Sequence, residues 1–549
     1  MSATVTTLPG STFDGTNSTT YLRDTLITET ATTYAYATTG GHRITLLGNF
    51  TYPGGPGADP AGAITEILID QDNDGTNDVT VTYTGNLPMA ENLNLSGPNL
   101  VAFWDELLDG DDLLIISSDI ASDEEFAADG FRETSFNAGD DIIVFTGSGE
   151  IIGDANNAST GEGFTTGGDD DLTVETLSDA TVIGDFEQAF GSLPTIAHNN
   201  IGGDDIILDQ SAAGGAVHLI IGDFAGATGI SSLIELGQIT GGDDIITGTS
   251  APLIVVGDID TITGDNFRIV GGADTITAGS ANDELYGDVR SFIDFINDNE
   301  GDNNSVTGGA DDISGGAGDD LIVGDVGHLG EGNAFTGGND ILNGNAGNDI
   351  IYGDYLTNAS SFIVAGGNDI ISGGFGNDIL FGQEGDDIIS GGTGADTIDG
   401  GAGIDTGDYT FTNGDLTVNL DTGQAFGTSA GFGGETITNV ENLILGGGDD
   451  LITGDAGNNV IDAGAGDDMV DGGAGDDVFI ASLGVDIYEG GDGTDTLDYS
   501  TYALSGIRID TVSGSVAERN ISDPDLSQTF SNIEPVSYTH LTLPTTPYV

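Results

Sequence analysis

The chain of 549 residues contains no cysteine and no lysine, and its only basic side chains besides five histidines are seven arginines, at positions 23, 43, 132, 268, 290, 508 and 519. The missing cysteine excludes a disulfide framework and thiolate metal sites. The scarcity of basic residues argues against nucleic acid or an anionic membrane surface as a partner, because phosphate recognition needs clustered Lys and Arg. No early stretch combines a basic start with an apolar run of signal-peptide length, and no later run approaches membrane-spanning length, so neither an N-terminal signal nor membrane insertion is expected. Against these absences stand 92 Asp and Glu, a formal charge of −85, and 92 Gly, while 37% of residues are hydrophobic. A chain so acidic repels itself, yet it has too much apolar content for a solvating tail. Both facts are reconciled if multivalent cations bind the carboxylates and folding waits for them.

Self-similarity is the dominant signal. From Gly373 the sequence reads GGFGNDILF, GQEGDDIIS, GGTGADTID, GGAGIDTGD, and the sixth position supplies Asp378, Asp387, Asp396 and Asp405, continuing the phase of Asp369. Ile371, Leu380, Ile389 and Ile398 follow two residues behind the first four of these Asp. A second run has Asp450, Asn459, Asp468 and Asp477 at its sixth positions, and a last copy, GGDGTDTLD, places Asp495. Gly-rich residues can turn with positive φ, while the last three residues of each nonapeptide suit a short strand with one inward apolar side chain. Two such turns complete a flattened coil. Stacked coils place the Asp in columns at strand spacing, ~5 Å, which repel unless a hard cation lies between them. Carboxylate plus backbone carbonyl is an oxygen-only ligand set suited to Ca²⁺.

A longer repeat lies upstream. Motifs of the form G-G-x-D-x-I place Asp at 141, 170, 205, 244, 274, 311, 340 and 369, and each unit closes on a Gly-Asp pair at Asp154, Asp185, Asp223, Asp258, Asp288, Asp325 and Asp354. Later units keep a second-turn carboxylate at Asp283, Asp320 and Asp349, where the first four have Gly149, Ala180, His218 and Leu253. Calcium sites are therefore expected to be complete from about residue 270 and partial before it; the alternative is that the Gly-Asp carboxylates substitute. Each unit then carries an excursion, such as FEQAFGSLPTIAHNNI or VRSFIDFINDNEGDNN, expected to be a loop that either binds a partner or folds back over the roll.

The repeat G-G-x-G-x-D-x-apolar-x resembles the nonapeptide of the RTX, or hemolysin-type calcium-binding, family. That resemblance implies an all-β fold, a right-handed parallel β-roll (β-solenoid) with Ca²⁺ held between turns, export by type I secretion machinery, and folding outside the cell. It implies metal ligation by Asp274, Asp283, Asp311, Asp320, Asp340, Asp349, Asp369, Asp378, Asp387, Asp396, Asp405, Asp450, Asn459, Asp468, Asp477 and Asp495. The expected organisation is a small N-terminal β-rich module (1–108), a degenerate long-period roll with excursions (109–290), a regular roll (291–408), a β-rich spacer (409–445), a second roll run (446–500), the start of another spacer (501–534) and a tail (535–549). FWDELLDGDD reads as a short helix leading into the array. The tail, PVSYTHLTLPTTPYV, has neither Gly nor an acidic residue and reads as foreign sequence.

One motif lies outside the array. Asp70-Gln-Asp72-Asn-Asp74-Gly75 sets three carboxylates around a tight turn, as calcium loops of EF-hands do, but the twelfth position is Val81 rather than Glu and strands flank it. Either a weak calcium loop or an acidic hairpin turn fits.

Catalytic motifs are scarce. His42, His198, His218, His328 and His540 make no H-E-x-x-H. Gly427-Thr-Ser429-Ala-Gly431 matches the G-x-S-x-G elbow of lipases, but the Gly- and Thr-rich sequence after it does not suit the required helix. Two functions remain: a noncatalytic, secreted, calcium-folded structural or adhesive protein with a cell-surface or matrix ligand, or the calcium-folding and export portion of a larger RTX exoenzyme or toxin.

Overall fold

Short runs rich in β-branched and apolar residues follow the G-G-x-D motifs and most of the Gly-Asp pairs, and in the computed structural model they become strands of two to six residues. Side chains are described for Asp205, Ile207 and residues 219–222, 240–248, 252–259, 268–291, 305–329, 334–357, 365–429, 431–500 and 528–533, and strands outside these ranges are described as backbone. No helix occurs among the described residues. The segment FWDELLDGDD lies outside them.

The chain divides into two compact units. The first comprises Met1–Gly316, Val323–Gly337 and Tyr355–Val364. It opens with six antiparallel strands in the spatial order Ala3–Thr7, Val79–Pro88, Ala61–Asp70, Arg43–Thr51, Thr33–Thr38, Arg23–Glu29. In the array that follows, the coils from Asp171–Val174 onward have four strands each. In one coil these are Ile245–Gly248, Leu253–Val256, Ile259–Thr263 and Phe267–Val270; in the next, Thr275–Thr277, Glu284–Tyr286, Val289–Ile293 and Ser305–Thr307. Each pairs in parallel with its counterpart, matching Ile246 to Ile276, Val255 to Leu285, Ile262 to Phe292 and Ile269 to Val306.

The excursions are thus not simple loops. From the coil that begins at Asp171–Val174 to the one that begins at Ile341–Ala346, the two ends of each excursion supply the third and fourth strands, and the stretch between them differs in length. Because the spacing between coils varies, no fixed period in the sequence marks these pairings. Ile246, Val255, Ile259, Ile269, Ile276, Leu285, Val289 and Val306 are all buried. Burying an aliphatic side chain of this kind contributes about 1.5–3 kcal/mol.

The second unit comprises Ala317–Ile322, Gly338–Asp354 and Ala365–Val549. Here the nonapeptides form two facing rows of parallel strands. Ile371 pairs with Ile389, Leu380 with Ile398, Ile461 with Phe479 and Val470 with Tyr488. Each of these side chains is buried, so the core is one residue deep from each row. This architecture is a parallel β-roll. The turns depend on glycine: Gly394 has φ +145°, and a Cβ there would sit 1.3 Å from the carbonyl oxygen of Gly376 in the preceding coil.

Residues 409–445 serve both rows: Asn442–Leu445 pairs in parallel with Thr406–Tyr409 on one, and residues 416–438 are woven into the other. Leu416–Asn419, Gln424–Gly427 and Gly434–Thr438 form an antiparallel meander, entered from Thr397–Ala402 and left through Leu451–Thr453 by parallel pairings. Ile507–Asp510, Ser515–Glu518 and Ser527–Ser531 repeat the device beside Ile487–Glu489. Val536–Ser537, in the segment read as a foreign tail, pairs in parallel with Leu497 and Asp498.

Candidate metal centre

Each sixth-position Asp immediately precedes a strand, and the turn before it delivers the carboxylate inward. Asp349, Asp369, Asp378, Asp387, Asp396, Asp405, Asp450, Asp468 and Asp477 are at most 3% exposed. One carboxylate oxygen has a fixed role. Oδ1 accepts the amide of the equivalent residue one coil earlier: Asp378 to Asp349 at 2.8 Å, Asp387 to Asp369 at 2.8 Å, Asp396 to Asp378 at 2.9 Å, Asp405 to Asp387 at 2.9 Å, Asp468 to Asp450 at 2.9 Å. The other oxygen, Oδ2, is buried without a hydrogen-bond partner in each of those nine residues and in Asp274.

Such an atom is costly unless something compensates it. The glycines show where it points. A Cβ on Gly373 would lie 2.4 Å from Asp378 Oδ2 and 2.7 Å from the carbonyl oxygen of Gly391; on Gly382, 2.3 Å from Asp387 Oδ2 and 2.4 Å from Gly400 O. A carboxylate oxygen and a carbonyl oxygen of the next coil therefore converge over each bare glycine Cα. Burial pushes Asp349, Asp378, Asp396, Asp405, Asp450 and Asp477 up to about 6, Asp468 to about 7 and Asp387 to about 8, neighbouring carboxylates adding to the rise in most of them. Orphaned anionic oxygens beside carbonyls fit Ca²⁺, a hard, oxygen-seeking ion. When bound it supplies the positive charge that keeps these carboxylates ionised within the fold.

The remaining positions expected as ligands are placed as follows. Asp283, Asp311, Asp320, Asp340 and Asp495 are buried, and the first four belong to the excursion-bearing part of the chain. Asn459 is buried too, but its amide is satisfied by protein: Nδ2 donates to Glu441 O at 2.7 Å and Oδ1 accepts from the Asp455 amide at 3.0 Å. Asp70 ends the strand Ala61–Asp70, whereas Asp72 and Asp74 lie outside the described residues.

Several carboxylates escaped the nine-residue reading. Asp486 continues the ladder, accepting from the Asp468 amide at 3.1 Å, but its Oδ2 is held by Gln528 Nε2 at 2.8 Å, with Ser482 and Tyr488 hydroxyls nearby. Its repeat, ASLGVDIYE, lacks the opening glycines, although the spacing from Asp477 announces it. Glu441 replaces an Asp by accepting from the Asp405 amide through Oε2 at 2.9 Å. Asp205 and Asp244, upstream of residue 270, join the ladder: Asp205 donates its amide to Asp244 at 2.7 Å and Asp244 to Asp274 at 2.8 Å. On the adjacent row it stops at Leu253, whose amide donates to Asp283 at 2.8 Å but which offers no carboxylate to the coil before.

The Gly-Asp carboxylates Asp258, Asp288, Asp325 and Asp354 are fully buried. They bring two triads together, Asp244–Asp258–Asp274 and Asp288–Asp311–Asp325, each with one oxygen per residue within 4.8 Å of the others. Both are candidate ion sites.

Gly427 to Gly431 joins two antiparallel strands, not a strand and a helix, and Ser429 Oγ hydrogen-bonds Thr412 Oγ1 at 2.5 Å. The context of a nucleophile elbow is not formed there.

Compared with known protein families, the chain matches the RTX calcium-binding nonapeptide repeat at residues 270–289, 305–328, 336–354, 363–398, 372–406, 444–479 and 466–497. No curated protein matches it. The stretch 270–497 is an array of RTX calcium-binding nonapeptide repeats folded as a parallel β-roll.

Proposed function

We propose that this is a secreted protein whose roll assembles when Ca²⁺ reaches it outside the cell, and that the assembled roll serves as a structural or adhesive component with a cell-surface or matrix ligand. The observation that carries the calcium dependence is the row of buried Oδ2 atoms without partners, from Asp349 to Asp405 and again from Asp450 to Asp477. A fold with so many uncompensated buried carboxylates is not stable at neutral pH until cations compensate them. Export by type I machinery accords with the RTX repeats and with a chain that stays unfolded where calcium is scarce.

An adhesive role is supported by the outer faces. Ile370 and Ile388 stand side by side on one row, and Leu451, Met469 and Ile487 on the other, all exposed. A calcium-stiffened roll holds these apolar ladders at strand spacing, a form suited to a polymeric or repetitive ligand. The test is retention of the labelled chain on the envelope and matrix of producing cells, with calcium and with EDTA, alongside circular dichroism. At neutral pH, calcium-dependent retention together with a calcium-dependent rise in β signal is expected; β structure that persists in EDTA at that pH, or no retention, overturns the reading.

A further inference from the structure

We infer that the excursion-bearing coils hold divalent cations in a second kind of site, built from three side-chain carboxylates, and that Asp244, Asp258 and Asp274 form one across the start of the family-matched segment, with Asp244 and Asp258 upstream of it. In the tight nonapeptide turns, four residues separate the opening glycine from the sixth-position carboxylate, as between Gly373 and Asp378. Excursion-bearing coils have no such turn at this corner. The chain leaves Gly257 through two further strands before it returns at Asp274, yet a Cβ on Gly257 would lie 1.8 Å from Asp274 Oδ2 and 1.9 Å from Gly287 O. Asp274 Oδ2 therefore sits over Gly257 as Asp378 Oδ2 sits over Gly373, with the turn between them removed.

Asp258 occupies the space so created. Its carboxylate lies against Gly241, where a Cβ would meet Oδ1 at 1.6 Å, and Oδ2 accepts from the Gly272 amide at 3.1 Å. That places it between the sixth-position carboxylates of two successive coils, within 4.8 Å of both. Asp274 is 1% exposed, and its Oδ2 is buried in this cluster without a hydrogen-bond partner. Three carboxylate oxygens this close repel one another strongly, and a divalent cation among them reverses the sign of the interaction. Asp288, Asp311 and Asp325 repeat the arrangement with two Gly-Asp carboxylates and one sixth-position carboxylate. Three anionic ligands favour a small, highly charged, oxygen-seeking ion, Ca²⁺ or a trivalent lanthanide, over a monovalent one.

The inference rests on calcium binding by the roll as a whole, so the experiment reads both kinds of site in one full-length chain. Amide hydrogen exchange is followed by mass spectrometry against free Ca²⁺ in the wild type and in Asp258→Asn. The expected result is that the calcium concentration giving half-protection of residues 241–259 and 271–288 rises about tenfold or more in the variant, while that of residues 373–405 is unchanged. An unchanged or lower midpoint at 241–288 would overturn it, because removing one of three merely repelling carboxylates should ease folding. Loss of calcium-dependent protection at 373–405 in the wild type would instead defeat the function proposed above. Should Asp258→Asn fail to order at any calcium concentration, excitation spectroscopy of Eu³⁺ bound to the wild-type chain decides. A second band from a more anionic ligand set supports the site, and a single band overturns it.

Discussion

The amide of Asp378 donates to Oδ1 of Asp396, one coil further on, at 2.9 Å, while Asp396 Oδ2 is buried with no partner at all. Each rung thus uses half of every carboxylate to fix the register of its neighbour and leaves the other half for a cation. Asp396→Asn should keep the first role and weaken the second. A loss of about 1.4 kcal/mol would raise the calcium midpoint of folding roughly tenfold. A circular dichroism titration checks this, and a midpoint equal to wild type would remove Asp396 from the ligand set.

Protons should substitute for calcium. Asp378, Asp396, Asp405 and Asp477 are pushed up by burial to about 6 and Asp387 to about 8, from an ordinary 3.8. A carboxylate whose folded value is raised contributes stability that is present below its unfolded value and lost as pH climbs through the folded one. In EDTA the roll should therefore be most ordered near pH 4 and melt out between about pH 4 and pH 8. In calcium, which needs the ionised forms, acid should weaken binding instead. Circular dichroism against pH in the two conditions gives curves of opposite slope; parallel curves would contradict the account.

Glu435 and Gln528 occupy equivalent places in the two meanders, beside Tyr409 and Tyr499 respectively. Gln528 Oε1 accepts the Tyr499 hydroxyl. Burial, with Asp396 adding to it, pushes Glu435 from 4.5 up to about 8, partly offset by the Tyr409 hydroxyl. The fold thus favours the neutral carboxyl, the form that Gln528 resembles. Glu435→Gln should be nearly silent at pH 4.5 and increasingly stabilising toward pH 8, by the sign rule above. Thermal melts of both proteins across that range test it; a difference that does not grow with pH would show Glu435 to be ionised in the fold.

Glycine identity should matter unequally. Gly394→Ala forces a side chain onto φ +145° and within 1.3 Å of Gly376 O, so it should destabilise by several kcal/mol, on the order of 3 or more. Gly457→Ala meets only the Asp455 carboxylate, at 3.3 and 4.0 Å, and should cost far less. The calcium midpoints of the two variants rank them, and equal midpoints would mean that the turns are looser than described.

Interaction range sets how much of the fold is legible in the sequence. A nonapeptide contains its own turn, its ligand and its apolar residue, and within an uninterrupted run its partner lies eighteen positions on, as Ile371 and Ile389 do. Fixed separation makes the pattern periodic, so the sixth-position Asp and the inward Ile and Leu could be identified by counting, and with them the parallel roll and its calcium chemistry. Asp486 shows the limit: the phase marks it, but only the fold shows Gln528 reaching its second oxygen.

The excursions obey no such phase. The strand pairing sets Phe292 opposite Ile262 and Val306 opposite Ile269 across segments of unequal length, so neither pairing leaves a period to be read. The same holds for Asp258, whose Gly-Asp motif is plain in the chain but whose neighbours Asp244 and Asp274 are gathered only when two complete coils stack. The local covalent pattern dictates what each turn can do alone. Which turns share a cation depends on what lies above and below them, and that is decided by the stacking.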